Sequence, residues 1–299
     1  MTLPNFLIIG AQKAGTTSLY YYLRQHPQVY MSPEKETHFF TYLGERPVHG
    51  GPGRPATAII TDAEEYGRLF SGVAGEKAVG EASPSYLYSE RAPERIKRYL
   101  PEARLIAILR QPAERAYSNF LHCLGSGREP LEDFAAALEA EDRRVAGGWG
   151  PLWHYRRKGY YHEQLSRYYA LFDPAQIRVY LYEDLREDAG EVLRDIFEFL
   201  EVDESFEADT SERYNVSGVP RSRTVGALIS GLGGVIPVAR PILQKALPYG
   251  VRQRLKARIF ATPPRLDPEV RRELTENYRE DILRLEELIG RDLSGWLEV

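Results

Sequence analysis

Residues Asn5 to Leu19, NFLIIGAQKAGTTSL, leave few folds open: four apolar residues run into a small, basic, hydroxyl-rich turn and then a helical stretch. A run as short as Phe6–Ile9 with no polar face predicts a buried strand. Gly10, Ala14 and Gly15 let backbone N–H groups approach a ligand closely. Thr16, Thr17 and Ser18 open the following helix, whose N-terminal N–H groups and dipole favour a bound phosphate or sulfate. A Walker A loop places its lysine directly after the last glycine. Here Lys13 stands two positions before Gly15, so the loop shares the chemistry of that motif but not its register.

A second unit of the same kind follows. Leu105–Leu109 predicts another buried strand, ending in Arg110, and Pro112 with Glu114 marks the start of the next helix. An arginine at the C-terminal end of a strand suits phosphate, because its planar fork binds phosphate oxygens in pairs. Further short apolar runs at Val29–Met31, Ala78–Glu81 and Ile177–Tyr182 alternate with helical patterns. That alternation predicts an α/β fold with a central, mostly parallel sheet flanked by helices. The 299 residues fit one domain spanning 1–299. A formal net charge of −4 gives no global attraction to nucleic acid, so any anion site must be local. Cys123 is the single cysteine, which excludes an intramolecular disulfide and a cysteine-rich zinc site. With no signal peptide visible, a cytoplasmic setting is expected.

Lys13-Ala-Gly-Thr-Thr17 resembles the 5′-phosphosulfate loop, P-K-x-G-T-[TS], of sulfotransferases that use 3′-phosphoadenosine 5′-phosphosulfate (PAPS), with Gln12 at the usual proline. Arg110 to Ser118 matches that family's 3′-phosphate motif, R-x-P-x-x-R-x-x-S. Met31–Phe40, MSPEKETHFF, resembles the K-E-x-x-F-F or E-x-H-F-F segment of the heparan-sulfate-type branch. Gly80–Tyr86 looks like its E-K-[ST]-P-x-Y segment, with Ala82 where lysine is usual. That last departure weighs against a heavily anionic glycan acceptor. Similarity extends to the G-x-Y-x-x-x-L-x-x-Y helix after Gly159 and to a closing helix from Pro268.

The resemblance implies a P-loop-like three-layer fold and sulfuryl transfer from PAPS without a metal. Lys13, Glu36 and His38 take the catalytic roles, with Glu36 as general base. Lys13, Ala14, Gly15, Thr16, Thr17, Ser18, Arg110 and Ser118 hold the nucleotide, with Arg221 and Arg223 as candidates for a second nucleotide loop. His122, Lys158 and Tyr160 are candidates to face a small-molecule, glycan or lipid acceptor. Plainer readings stay open for each: a solvated turn at Glu34–Glu36, a packed helix at His122, an aromatic core stripe at Tyr160. So do two other classes, a P-loop kinase using Mg·ATP and a non-catalytic nucleotide-binding module. Residues 42–57, rich in Gly and Pro, predict a long loop close behind Glu36. The variable segment at about 222–262, apolar and glycine-rich and then basic, reads as a lid, a peripheral membrane contact or a packed hairpin.

Overall fold

Each residue of β1 (Phe6–Gly10) is buried, because the strand lies in the middle of a five-stranded sheet with both faces covered. The computed structural model describes residues 2–45, 47, 50–52, 59–211, 219–220, 260–261 and 264–298. β1 is flanked by β3 (Ala78–Ala82) and β4 (Arg104–Leu109). β2 (Val29–Met31) and β5 (Ile177–Leu181) form the edges, giving the order β2-β3-β1-β4-β5. Every neighbouring pair in this sheet is parallel. The five strands expected from the apolar runs are all present, with ends shifted by one residue at most.

The side-chain alternation of a strand sorts these apolar runs into two cores. On one face Leu7, Ile9, Leu105, Ala107 and Leu109 pack with four helices. These are α2 (Phe39–Tyr42), α4 (Pro112–Gly125), α5 (Tyr161–Tyr169) and α8 (Pro268–Ile289), with α3 (Ser85–Tyr88) beside them. On the other face Phe6, Ile8, Ile106 and Ile108 pack with α1 (Thr16–Leu23) and α7 (Ala189–Phe199), which follows the short α6 (Tyr182–Glu187). The result is a helix–sheet–helix sandwich.

The order of strands also locates a crevice. From β1 the chain crosses to β2 on one side, whereas from β4 it passes to β5 on the other. The loops after β1 and β4 therefore diverge above neighbouring strand ends, the place where open α/β sheets bind ligands. The Lys13 loop and Arg110 are the two segments that emerge there.

Arg221, Arg223 and nearly all of the 222–262 segment lie outside the described residues. Of that segment only Phe260–Ala261 is described, as a strand paired antiparallel with Val219–Pro220. No described helix is long and apolar enough to cross a membrane.

Gly80 shows how tightly β1 and β3 are joined. It pairs with Phe6, and a Cβ at Gly80 would overlap the fully buried Phe6 ring. Gly80→Ala is expected to lower the unfolding free energy by about 1–3 kcal/mol through overpacking, measured by urea denaturation.

Candidate active site

The Lys13 loop is folded back against β4: Ala11 N–H donates to the Ile108 carbonyl at 2.7 Å and Ala14 N–H to that of Ala11 at 3.2 Å. Gly15 has φ of 102°, and a Cβ there would press on Tyr182 and Leu185, so glycine is favoured on both counts. α1 starts immediately after it with no side-chain cap. Lys13 itself adopts φ of 70°. Burial lowers its ammonium to about 8, with Arg110 and Lys35 acting in the same direction and Glu36 opposing them. Thr16 and Ser18 are buried at the start of α1.

Arg110 lies at the end of β4 with its guanidinium 4.9 Å from the centre of the Tyr182 ring, an aromatic seat that leaves its outer edge able to bind anions. Its nearest carboxylate, Glu114, is 3.4 Å away. The Tyr161 hydroxyl donates to the Arg110 carbonyl at 2.9 Å, fixing the backbone from which the side chain projects. Ser118 is buried on α4.

Across the crevice, Glu36 and His38 both have positive φ, 65° and 55°, an uncommon and strained backbone for residues with side chains. A cluster of hydroxyls holds this turn. Thr37 Oγ1 donates to Glu81 Oε2 at 3.2 Å and also contacts Ser83 Oγ and Tyr86 Oη. His38 N–H donates to Ser83 Oγ at 3.1 Å, and Glu36 N–H to the Ala82 carbonyl at 2.9 Å. His38 Nδ1 pairs with Ser85 Oγ at 2.7 Å. The segment Glu81–Tyr86 thus serves as scaffold for the turn that carries Glu36.

Glu36 forms an ion pair with Lys35 at 2.5 Å. Burial pushes its carboxyl up, but Lys35, followed by His38 and His122, outweighs burial and holds it down to about 2. Glu81 is the opposite case. It is fully buried, and burial lifts it to about 7 against the hydrogen bonds from Tyr86, Ser83 and Thr37. Its Oε1 has no partner among the described residues.

These elements enclose a cleft of about 1120 Å³, lined by Glu36, His38, His122, Lys158 and Tyr160. Gln12, Arg128 and the aromatic rings of Tyr42, Tyr88 and Trp153 complete its wall. Enclosure in the cleft pushes His122 down to about 4, with Lys13 and Arg128 adding to the effect against Glu36, so its imidazole is neutral at pH 7. From the loop predicted behind Glu36, residues Glu45, Pro47 and Gly50 reach the same cleft, and Glu45 is pinned there by Arg91 and Arg95.

The structure thus brings the base and acceptor candidates Glu36, His38, His122, Lys158 and Tyr160 to one cleft, whereas Lys13–Ser18, Arg110 and Ser118 are not among its lining residues and adjoin it through Gln12 and the charge interaction of Lys13 with Glu36; Arg221 and Arg223 are outside the described residues. Four contributors had no role in the sequence reading: Lys35 on Glu36, Tyr182 beneath Arg110, Arg128 beside His122, and Glu81 under Thr37. Tyr182 was signalled by its place at the end of a strand, and Glu81 by its motif. Nothing local marks Arg128.

Fold and site together define an α/β sandwich in which the glycine-containing loop of Lys13 and the end of β4 at Arg110 lie near the Glu36 carboxylate. A profile described as the Sulfotransferase family matches residues 4–207, more than half of the chain. Bifunctional heparan sulfate N-deacetylase/N-sulfotransferase 4 of Mus musculus is 31% identical over 214 residues, covering 67% of this chain and 22% of that protein. Heparan sulfate glucosamine 3-O-sulfotransferase 6 of Homo sapiens is 30% identical over 195 residues, 64% of this chain and 50% of that one. The chain thus spans about a fifth of the first relative's length and half of the second's. The crystal structure of a sulfotransferase from Alicyclobacillus acidocaldarius superposes over the whole of both chains with a TM-score of 0.78 and 35% identity. The chain belongs to the sulfotransferase family.

Glu81 makes a pH-dependent prediction. Its folded pKa of about 7 lies above the ordinary 4.5, so between those values the native state holds a proton that the unfolded chain has lost. Its contribution to stability is present below pH 4.5 and is lost as pH rises through the window. Glu81→Gln, which cannot ionise, should gain about 3 kcal/mol relative to wild type between pH 4.5 and pH 8. Urea titrations at the two pH values read this directly; a constant difference would contradict it.

Proposed function

We propose that this chain is a sulfotransferase that takes its sulfuryl group from PAPS and passes it to a hydroxyl or amine of a small-molecule, glycan or lipid acceptor in the cleft. When bound, PAPS supplies a sulfuryl group on a phosphate leaving group: the bridging S–O bond breaks as the acceptor atom bonds sulfur, and adenosine 3′,5′-bisphosphate departs. The observation that supports this reading is that Lys13–Ser18 and Arg110–Ser118 follow neighbouring strand ends, with Lys13 near enough to both Arg110 and Glu36 for their charges to interact. The fit is chemical as well as spatial. Lys13 is a half-buried ammonium, and among the described residues Arg110 has no carboxylate closer than 3.4 Å.

In this scheme Lys13 and the backbone N–H groups of Ala14 to Thr17 offset the negative charge that grows on the leaving phosphate. Arg110 and Ser118 hold the 3′-phosphate, the group that separates this donor from ATP. Glu36 accepts the proton lost by the acceptor. Its ion pair with Lys35 keeps it ionised and poorly basic while the site is at rest, so Lys35 must turn toward the donor's charge for Glu36 to become an effective base. His38 and the neutral His122 orient the acceptor, and Tyr42, Tyr88, Trp153 and Tyr160 offer rings on which a sugar or other cyclic acceptor stacks.

Two variants test the scheme. Arg110→Ala should weaken adenosine 3′,5′-bisphosphate binding by about 10- to 100-fold in calorimetry, the worth of a charge-assisted contact. Undiminished affinity would remove Arg110 from the nucleotide site. Glu36→Gln should keep bisphosphate affinity while kcat falls by about a hundred- to ten-thousand-fold, assayed as bisphosphate release from PAPS with an acceptor found by screening alcohols and amines.

A further inference from the structure

One basic side chain of the cleft lacks the counter-charge its surroundings call for. Lys158, in the short turn Arg157–Gly159 ahead of α5, is 8% exposed. Its ammonium donates to Gln12 Oε1 and stands 5.7 Å from the centre of the Tyr88 ring. Among the described residues it forms no ion pair. Glu36 and Glu141 attract it only from a distance, and Arg115 repels it. A neutral amide and a ring face replace only part of the hydration that a buried ammonium gives up.

Burial, reinforced by Arg115 and opposed by Cys123, Glu141 and Glu36, brings Lys158 down to about 7. An anion arriving beside it would restore the charge. The position of the partner is narrowed by Gln12, which precedes Lys13 in the donor loop and lines the same cleft wall as Lys158 and Glu36. The ammonium is thus tethered to the donor side of the cleft, next to the loop that holds Lys13.

We propose that Lys158 is a second cation for the donor, binding the non-bridging oxygens of the sulfuryl group, with Gln12 aiming it there before the donor arrives. This rests on the PAPS reading given above. Lys13 and Lys158 then divide the work: one meets charge on the leaving phosphate, the other meets charge on the group being moved. The neutral Gln12 is a suitable tether because it yields the ammonium more readily than a carboxylate would.

The test compares two ligands that differ only by the sulfuryl group, PAPS and adenosine 3′,5′-bisphosphate, titrated calorimetrically into wild type, Lys158→Met and Lys158→Arg. Lys158→Met should bind PAPS at least about tenfold more weakly, with bisphosphate affinity changed by less than about twofold; Lys158→Arg should recover part of the loss. At pH 7.5 wild type should also take up more protons on binding PAPS than on binding bisphosphate, seen as a dependence of the binding enthalpy on buffer ionisation heat. That excess should vanish in Lys158→Met. Retained bisphosphate binding certifies that the variant is folded. Equal loss of both ligands, or loss of neither, overturns the assignment. Failure of wild type to bind either ligand removes the donor reading, and this proposal with it.

Discussion

The parallel alignment of β1 with β4 is the constraint on which the site depends. Their register, Phe6 with Arg104 through Ile8 with Ile106, brings the two strands to their C-terminal ends side by side. Because the chain leaves these ends in opposite directions, the Lys13 loop and Arg110 border one crevice instead of lying on different faces. Burial on both sides of the sheet fixes that register, since a slip of one residue would exchange Leu7 and Ile9 with Phe6 and Ile8 between two differently shaped cores.

Around this crevice the chemistry is set by unequal desolvation. Lys13 and Lys158 are cations pushed toward neutrality by burial, whereas Glu36 is a carboxylate kept ionised by Lys35. Such a site sets two partly neutralised cations near one ionised carboxylate. Glu81, by contrast, is kept from ionising at acid pH by its own burial, and its Oε2 accepts from Thr37 of the turn that carries Glu36 and His38 and from Ser83 of the segment that supports that turn. The strained turn persists because Thr37, Ser83 and Tyr86 over-determine it.

Most of the fold was legible along the chain, because five buried strands of a parallel sheet each leave a short apolar run that period alone detects. The donor loop and the Arg110–Ser118 segment were legible too, since each is continuous and its residue types are tied to one strand–turn–helix unit. Harder to read was anything that depends on a pair distant in sequence. Lys158 and Gln12 are 146 positions apart, and nothing local in either segment marks their pairing. Arg128, beside His122, carries no local mark, because a basic residue after a helix is ordinarily a solvated one.

The sequence by itself determined the strands and the two strand–turn–helix segments that carry Lys13 and Arg110, with Glu36 between them in the chain. These follow from local rules: apolar period, glycine where φ is positive, proline at a helix start. Tertiary structure decided how the charges behave. Whether Lys158 is solvated or buried, whether Glu36 is free or held by Lys35, and whether Glu81 is exposed or enclosed are matters of what packs around them. Desolvation and ion pairing act through space, and no stretch of chain encodes them alone.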